Sequence, residues 1–223
     1  SWSALFLFLY TDGWNDLFVT SGIYRRPNDL DYVLHLTGGR RYEPARNLDS
    51  VSNRSFGLLM PLQSDINHLF RNNGDFTFSS VATDWGFDTP DYSNGSTYAD
   101  LDNDGDLELV VNNINGPASI YRNNAEQMPE QHFLKINLRG SAQNQAGIGT
   151  RACLYAGGKQ QMAQLFATRG FMSSTSDLLH FGLGSDTLVD SLVILWPGQL
   201  EQKLYNLEAD QTLLLDISAA THA

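Results

Sequence analysis

Apolar residues in this chain come in short runs broken by polar, glycine-rich turns, and none has the length or spacing of a long helix. Ala4 to Tyr10 reads as a strand, followed by the turn Thr11-Asp12-Gly13-Trp14-Asn15-Asp16 and a second strand from Leu17 to Thr20. His68–Arg71 and Phe76–Ser79 flank Asn72-Asn73-Gly74-Asp75, a hairpin turn built from residues that tolerate left-handed backbone. Ser96 to Ala99 and Leu107 to Val111 form another pair around an acidic loop. Further on, Phe133, Lys135 and Asn137 alternate with Leu134, Ile136 and Leu138, the pattern of a half-buried strand. Ala152–Tyr155 and Gln160–Phe166 predict a hairpin about Gly157-Gly158. Leu188–Trp196 and Gln211–Ile217 predict two more strands, with Pro197-Gly198 turning the chain between them. Many short strands with turn signals at close intervals make the fold class all-β.

The pattern repeats. Phe70-Arg71-Asn72-Asn73 returns as Tyr121-Arg122-Asn123-Asn124, 51 residues later, a period that suits a propeller blade with a long loop. The first unit is longer than the second by about 41 residues, which places an insertion at 24–66. Its pattern is poor for strands and suits one or two short helices, one beginning at Pro44 and another ending at Pro61. The division expected is blades over 1–125, a polar linker at 126–131 containing Pro129, a small β-sandwich-like domain or open barrel over 132–217, and a tail at 218–223.

The acidic loop is Asp100-Leu101-Asp102-Asn103-Asp104-Gly105-Asp106-Leu107-Glu108. Carboxylates at positions 1, 3, 5 and 9 of such a loop can close around one hard cation, and Gly105 at position 6 takes the tight turn. An EF-hand would place a bidentate Glu at position 12, where this chain has Val111 inside a strand. The loop is therefore of EF-hand type without the helices. Asp100, Asp102, Asp104 and Glu108 are the expected side-chain ligands of Ca2+, and Asp106 contributes its backbone carbonyl. A hairpin turn that binds nothing is the plainer alternative. Crowded carboxylates repel unless something neutralises them, which favours the ion. The first unit carries Asp12, Gly13 and Asp16 at matching positions but Phe8 and Tyr10 where the later copy has Asp100 and Asp102, so it reads as a degenerate, metal-free site.

Charge narrows the function classes. The net charge is −11, and residues 1–131 hold 8 basic and 18 acidic side chains against 6 and 7 in 132–223. That balance suits cations and disfavours nucleic acid and anionic membrane. The apolar run Ala4 to Tyr10 is far short of the roughly 20 residues of a membrane helix, so no membrane span is expected. The chain opens on Ser1, which reads as a fragment. A single cysteine, Cys153, excludes an internal disulfide and sits in an apolar run.

Other candidate chemistry is thinner. His35, His68, His132, His180 and His222 do not pair at metal-ligand spacing, and His180 before Phe181-Gly182-Leu183-Gly184 reads as structural. Asp84, Asp88 and Asp91 could supply an acid/base pair but are explained by a turn. Ser173, Ser174 and Ser176 invite the same reading, and Trp14, Trp85 and Trp196 fit the core better than a sugar platform.

Two signatures point to known families. Asp100 to Glu108 followed by Leu109-Val110-Val111-Asn112-Asn113 resembles an FG-GAP/VCBS repeat, the calcium-binding blade unit of integrin-like propellers. The later part resembles the ASPIC/UnbV domain through Asn144, Gly147-Ile148-Gly149, Arg169-Gly170-Phe171, Ser173-Ser174, Leu179-His180-Phe181-Gly182-Leu183-Gly184, Val189-Asp190, Trp196-Pro197-Gly198, Asn206 and Gln211. Together they resemble the C-terminal end of a cartilage-acidic-protein-like family, in its bacterial branch. The resemblance implies a calcium-stabilised propeller followed by a small β domain, in an extracellular, cell-surface or periplasmic setting. The function expected is a non-enzymatic module recognising protein or glycan. A carbohydrate-active enzyme using the carboxylates of 84–91 is one alternative, and a purely structural propeller cap is the other. Two blades cannot close a ring, so a preceding propeller segment or a partner chain is expected to cover the open strand edges.

Overall fold

The computed structural model describes residues 2–26, 28–37, 60–128 and 130–222. Among the described residues strands dominate, in four sheets. The first is an antiparallel meander, β1 (Ala4–Leu7), β2 (Asp16–Val19), β3 (His68–Asn72) and β4 (Phe78–Ser80), each strand paired with the next. A helix, α1 (Leu30–Thr37), lies between β2 and β3, ahead of the helices expected to begin at Pro44 and to end at Pro61, which fall outside the described residues. The second sheet is β5 (Ser93–Ala99), β6 (Glu108–Asn113) and β7 (Ser119–Tyr121), again a meander. These sheets are the two blades. The repeated Phe/Tyr-Arg-Asn-Asn lies in β3 of the first and at the end of β7 in the second. The first blade has four strands and the second three.

Alternation explains how the blades meet. Leu5 and Leu7 in β1, Phe18 in β2 and Leu69 in β3 point to one side and are buried, while their neighbours Ala4 and Phe6 are exposed. They pack with Phe87 and with Leu109 and Val111 of β6 in a shared core. Polar contacts close the seam at one end, where Thr20 Oγ1 donates to the Asn94 carbonyl at 2.8 Å and Ser96 and Ser3 join their hydroxyls at 2.8 Å.

A short 3-10 turn at Ala125–Gln127 leads into the second domain. It has a five-stranded sheet in the order β10 (Lys159–Gln164), β9 (Arg151–Ala156), β12 (Leu188–Trp196), β13 (Leu200–Glu208) and β15 (Thr221–His222). Against it packs a three-stranded sheet, β11 (Leu178–Gly184), β8 (His132–Arg139) and β14 (Gln211–Asp216). The inward residues of both sheets form the core, among them Leu134, Ile136, Leu154, Phe181, Leu192, Ile194 and Trp196. The sandwich-like reading is thus the observed architecture, and the hairpin about Gly157-Gly158 is β9–β10. Four strands were not legible: β7, β11, β13 and β15, the last lying in the stretch expected to be a tail. β11 carries glycines and is held by β8, some 40 residues earlier, while β13 is largely polar, and Pro197-Gly198 turns β12 directly into it rather than into β14.

Candidate metal centre

In the second blade Ala99 pairs with Glu108, so the acidic loop is the connection that closes the β5–β6 hairpin. Short-range bonds shape it. The Leu101 amide donates to Glu108 Oε2 at 2.7 Å, the Gly105 amide to Asp100 Oδ2 at 3.2 Å, and the Asp106 amide to Asp104 Oδ1 at 3.3 Å. Gly105 has φ of 108°, outside the range of L side chains, and a Cβ there would stand 2.0 Å from the Phe133 ring. Asp106 is anchored from the other side by the amides of Ala125 (2.8 Å) and Glu126 (3.4 Å), the start of the 3-10 turn.

The result is a knot of carboxylates turned inward. Asp100, Asp102 and Glu108 bring oxygens within 4.8 Å of one another, and so do Asp104, Asp106 and Glu108. Glu108 belongs to both groups and joins them. All five expected residues are therefore gathered at one place. The expectation gave Asp106 a backbone role, and its carboxylate also lies in the cluster. Asp106 and Glu108 are only 2% and 3% exposed. Four of these oxygens are buried without any hydrogen-bond partner: Asp100 Oδ1, Asp104 Oδ2, Asp106 Oδ1 and Glu108 Oε1.

Such a site holds negative charge at high cost. Burial, reinforced by the carboxylates of Asp104, Glu126 and Glu108, pushes the Asp106 carboxyl up to about 8, and burial also raises Asp104. At neutral pH a bound cation relieves that cost more fully than protonation of one group. Hard oxygen donors in this number suit Ca2+. The Arg122 guanidinium lies 3.1 Å from Asp102 and 3.7 Å from Asp104, on the exposed side of the loop.

The first copy is built differently. Asp16 is fully buried and accepts from the amides of Asn72 (3.0 Å) and Tyr10 (3.3 Å). Asp12 pairs with Arg71 at 3.4 Å, and the Arg71 guanidinium lies 4.2 Å over the Tyr10 ring. Phe8, at the first ligand position, is packed in the core of the second domain, its ring 6.2 Å from His180 and 6.4 Å from Phe181. Among the described residues, both clusters of three or more converging acidic ligands lie in the second loop. Asp84, Asp88 and Asp91 join no such group, and Asp91 instead exchanges backbone bonds with Asp65 at 3.1 and 3.3 Å.

The second domain sits on these loops. His180 Nε2 meets the Gly105 carbonyl at 2.8 Å, and that bond fixes Nε2 as the protonated nitrogen. Burial pushes the His180 pKa down to about 4, so the ring is neutral. The Gly184 amide donates to the Thr11 carbonyl at 2.7 Å, and Thr11 Oγ1 donates to Gln131 at 2.8 Å. Farther along β5, Thr97 donates to the Ser174 carbonyl at 2.7 Å and Arg169 to the Tyr98 hydroxyl at 3.1 Å. Phe171 lies 4.7 Å from the Trp2 ring. Lys135 of β8 forms an ion pair with Asp100. Sequence reading missed Lys135 and His180 as parts of this site, because nothing local ties them to a loop some 30 to 80 residues earlier.

Comparison with known proteins follows the same division. A model of the FG-GAP-like repeat matches residues 48–111, which include the acidic loop, and a model described as ASPIC and UnbV matches residues 140–222. The chain carries an FG-GAP-like repeat followed by an ASPIC/UnbV domain. It is also 35% identical over 90 residues to cartilage acidic protein 1 of Homo sapiens. That match covers 40% of this chain and 13% of the relative. Thus Arg169, Phe171, Ser174, His180 and Gly184, all within the ASPIC/UnbV match, make contact with the two blades. No helix among the described residues is long and apolar enough to cross a membrane.

Proposed function

We propose that this protein is a calcium-stabilised, non-catalytic module of an extracellular, cell-surface or periplasmic protein, in which the ASPIC/UnbV domain caps the blades and exposed loops recognise a protein or glycan. The observation that carries the calcium reading is the set of four buried, unpartnered carboxylate oxygens converging in the loop of 100–108. The ion's role is structural: it neutralises the loop and ties β5 to β6. FG-GAP repeats are typical of extracellular proteins, where calcium is abundant, which supports the location. The capping reading rests on the direct bonds from β11 to both blade loops. The insertion of 24–66 exceeds what a blade requires, and binding sites concentrate in such loops. In its described part Leu30 of α1 is 70% exposed. A net charge of −11 supports a ligand other than nucleic acid.

Calorimetric titration with calcium is expected to give a one-site isotherm with Kd of roughly 0.1–1 mM, the range of extracellular modules. At a hundredfold excess over Kd the ion adds about 2.7 kcal/mol of stability. For a chain of this size that raises Tm by roughly 5–10 °C relative to chelator. Magnesium, smaller and more reluctant to shed water, is expected to be far less effective. Absence of both heat and Tm shift at about 10 mM calcium, well above that Kd range, overturns the metal reading. A glycan array and a hydrolysis screen, run side by side, test the ligand class. Turnover abolished by Asp88→Ala or Asp91→Ala with the fold intact overturns the non-catalytic assignment.

A further inference from the structure

The ASPIC/UnbV domain contributes a charge to the FG-GAP-like loop. Lys135 lies in β8, opposite His180 of β11, and its side chain is almost wholly buried. Its ammonium is held between the Asp100 carboxylate and the Phe133 ring, 4.9 Å from the ring centroid. Asp100 is divided between two tasks. Its Oδ2 accepts from Lys135 and from the Gly105 amide, and its Oδ1 is the buried, unpartnered oxygen that belongs to the Asp100–Asp102–Glu108 group.

We infer that Lys135 is a built-in counter-cation of the metal loop, sharing Asp100 with the ion and holding calcium affinity in a weak range. The inference rests on the calcium reading above. A protonated lysine has no lone pair and cannot be a ligand. It draws on the same negative charge that attracts the metal, and a cation on the second oxygen of a ligand carboxylate repels the ion on the first. Water screens an exposed charge, but Lys135 is sealed between the domains, so its field reaches the loop with little attenuation. The neighbouring groups do not duplicate it: His180 is neutral, and Arg122 stands on the open side of the loop, where solvent screens it. A further consequence is that the loop keeps a partial counter-charge while the ion is absent, which lets the domains stay docked. Lys135 is thus a positioning and affinity-setting residue contributed by one domain to the other's site.

The test compares calcium binding by the full chain and its Lys135→Gln variant in calorimetry at fixed ionic strength. Glutamine keeps a donor for Asp100 and removes the charge. Its Kd is expected to fall about tenfold or more, as loss of a buried like charge requires. Lys135→Arg, which keeps the charge, is expected to stay within about threefold of wild type. A side chain that merely supported the fold would weaken binding when lost, so tightening distinguishes the two roles. Unchanged or weaker binding by Lys135→Gln, with wild-type binding intact, overturns this inference alone, whereas a wild-type chain that binds no calcium overturns the metal reading and this inference together. Should the glutamine variant fail to fold, the wild-type chain still decides. The Lys135 Nζ resonance, followed by nuclear magnetic resonance, is expected to shift with calcium and saturate at the calorimetric Kd, and a resonance that does not move overturns the inference.

Discussion

As pH rises from about 3 to about 7 the wild-type chain is expected to lose about 3 kcal/mol of stability that its Asp16→Asn variant does not lose, roughly two-thirds of it between pH 4 and pH 6, at about 1.4 kcal/mol per unit of pKa shift. Asp16 occupies the degenerate first loop and is fully buried. Burial, aided by the Asp12 carboxylate, raises its carboxyl from 3.8 to about 6, against the lowering effect of amide bonds from Asn72 and Tyr10 and of the Arg71 charge. The folded state therefore holds this proton more tightly than the unfolded state. Below pH 3.8 both states are protonated and the group contributes no penalty. As pH rises through the window to about 6 the unfolded state ionises first, so stability falls, and above it the full cost persists. Asparagine carries no proton to lose, and its disturbed hydrogen bonds add an offset independent of pH. Urea unfolding of both proteins at several pH values, in saturating calcium, isolates the effect as a change in their difference. A difference constant to within about 0.5 kcal/mol across the window shows that Asp16 is not strained by its burial.

Gly182→Ala is expected to be nearly as damaging. A Cβ there would lie 2.5 Å from Thr11 Cα and 2.6 Å from the Thr11 carbonyl. The obstacle is backbone, which cannot swing aside, so β11 and the first loop must separate. Overpacking of this kind costs about 1–3 kcal/mol, with the upper end appropriate to a main-chain collision. The Gly184–Thr11 bond lies beside it and is lost first. Hydrogen exchange is expected to show the Gly184 amide and the Thr11 loop losing protection while β9 and β12 keep theirs. Gly116→Ala is the control, since a Cβ there meets only Asn113 at 3.7 Å. Its cost is expected within about 0.5 kcal/mol. Equal stability of the two variants contradicts the close docking of the domains.

What sequence pattern could reveal was local. The loop of 100–108 declares itself because its ligands, its glycine and its flanking strands all lie within a few residues. The repeat declares itself because each blade carries the same short Arg-Asn-Asn phrase. The strand Leu188–Trp196 was read to the residue, since alternation and the following Pro-Gly turn agree. Tertiary reasons were hidden. Phe8 looks like a decayed ligand in the sequence, yet it fills the core of a domain that begins more than a hundred residues later. Lys135 falls on the exposed phase of an alternating strand, but a neighbouring domain covers that face and turns it into a buried ion pair. β14 lies parallel to β8, a pairing between segments far apart in sequence that no hairpin signal announces. Periodicity reports which side of a strand is apolar, not what will come to rest on the other side.

The docking of β11 on both blade loops changes what counts as a portable piece. Arg169, Phe171, Ser174, His180 and Gly184 of the second domain take up positions against its neighbour. A graft that transplanted this domain alone onto a foreign scaffold would carry a lock without its key, leaving Lys135 and the His180 face with nothing to meet. Grafted together with the loops around Thr11 and Gly105, it would arrive with its fit intact. The natural cut for shuffling or protein engineering therefore does not follow the polar stretch at 126–131, where the chain is easiest to sever, but runs outside the blade pair that the domain already grips.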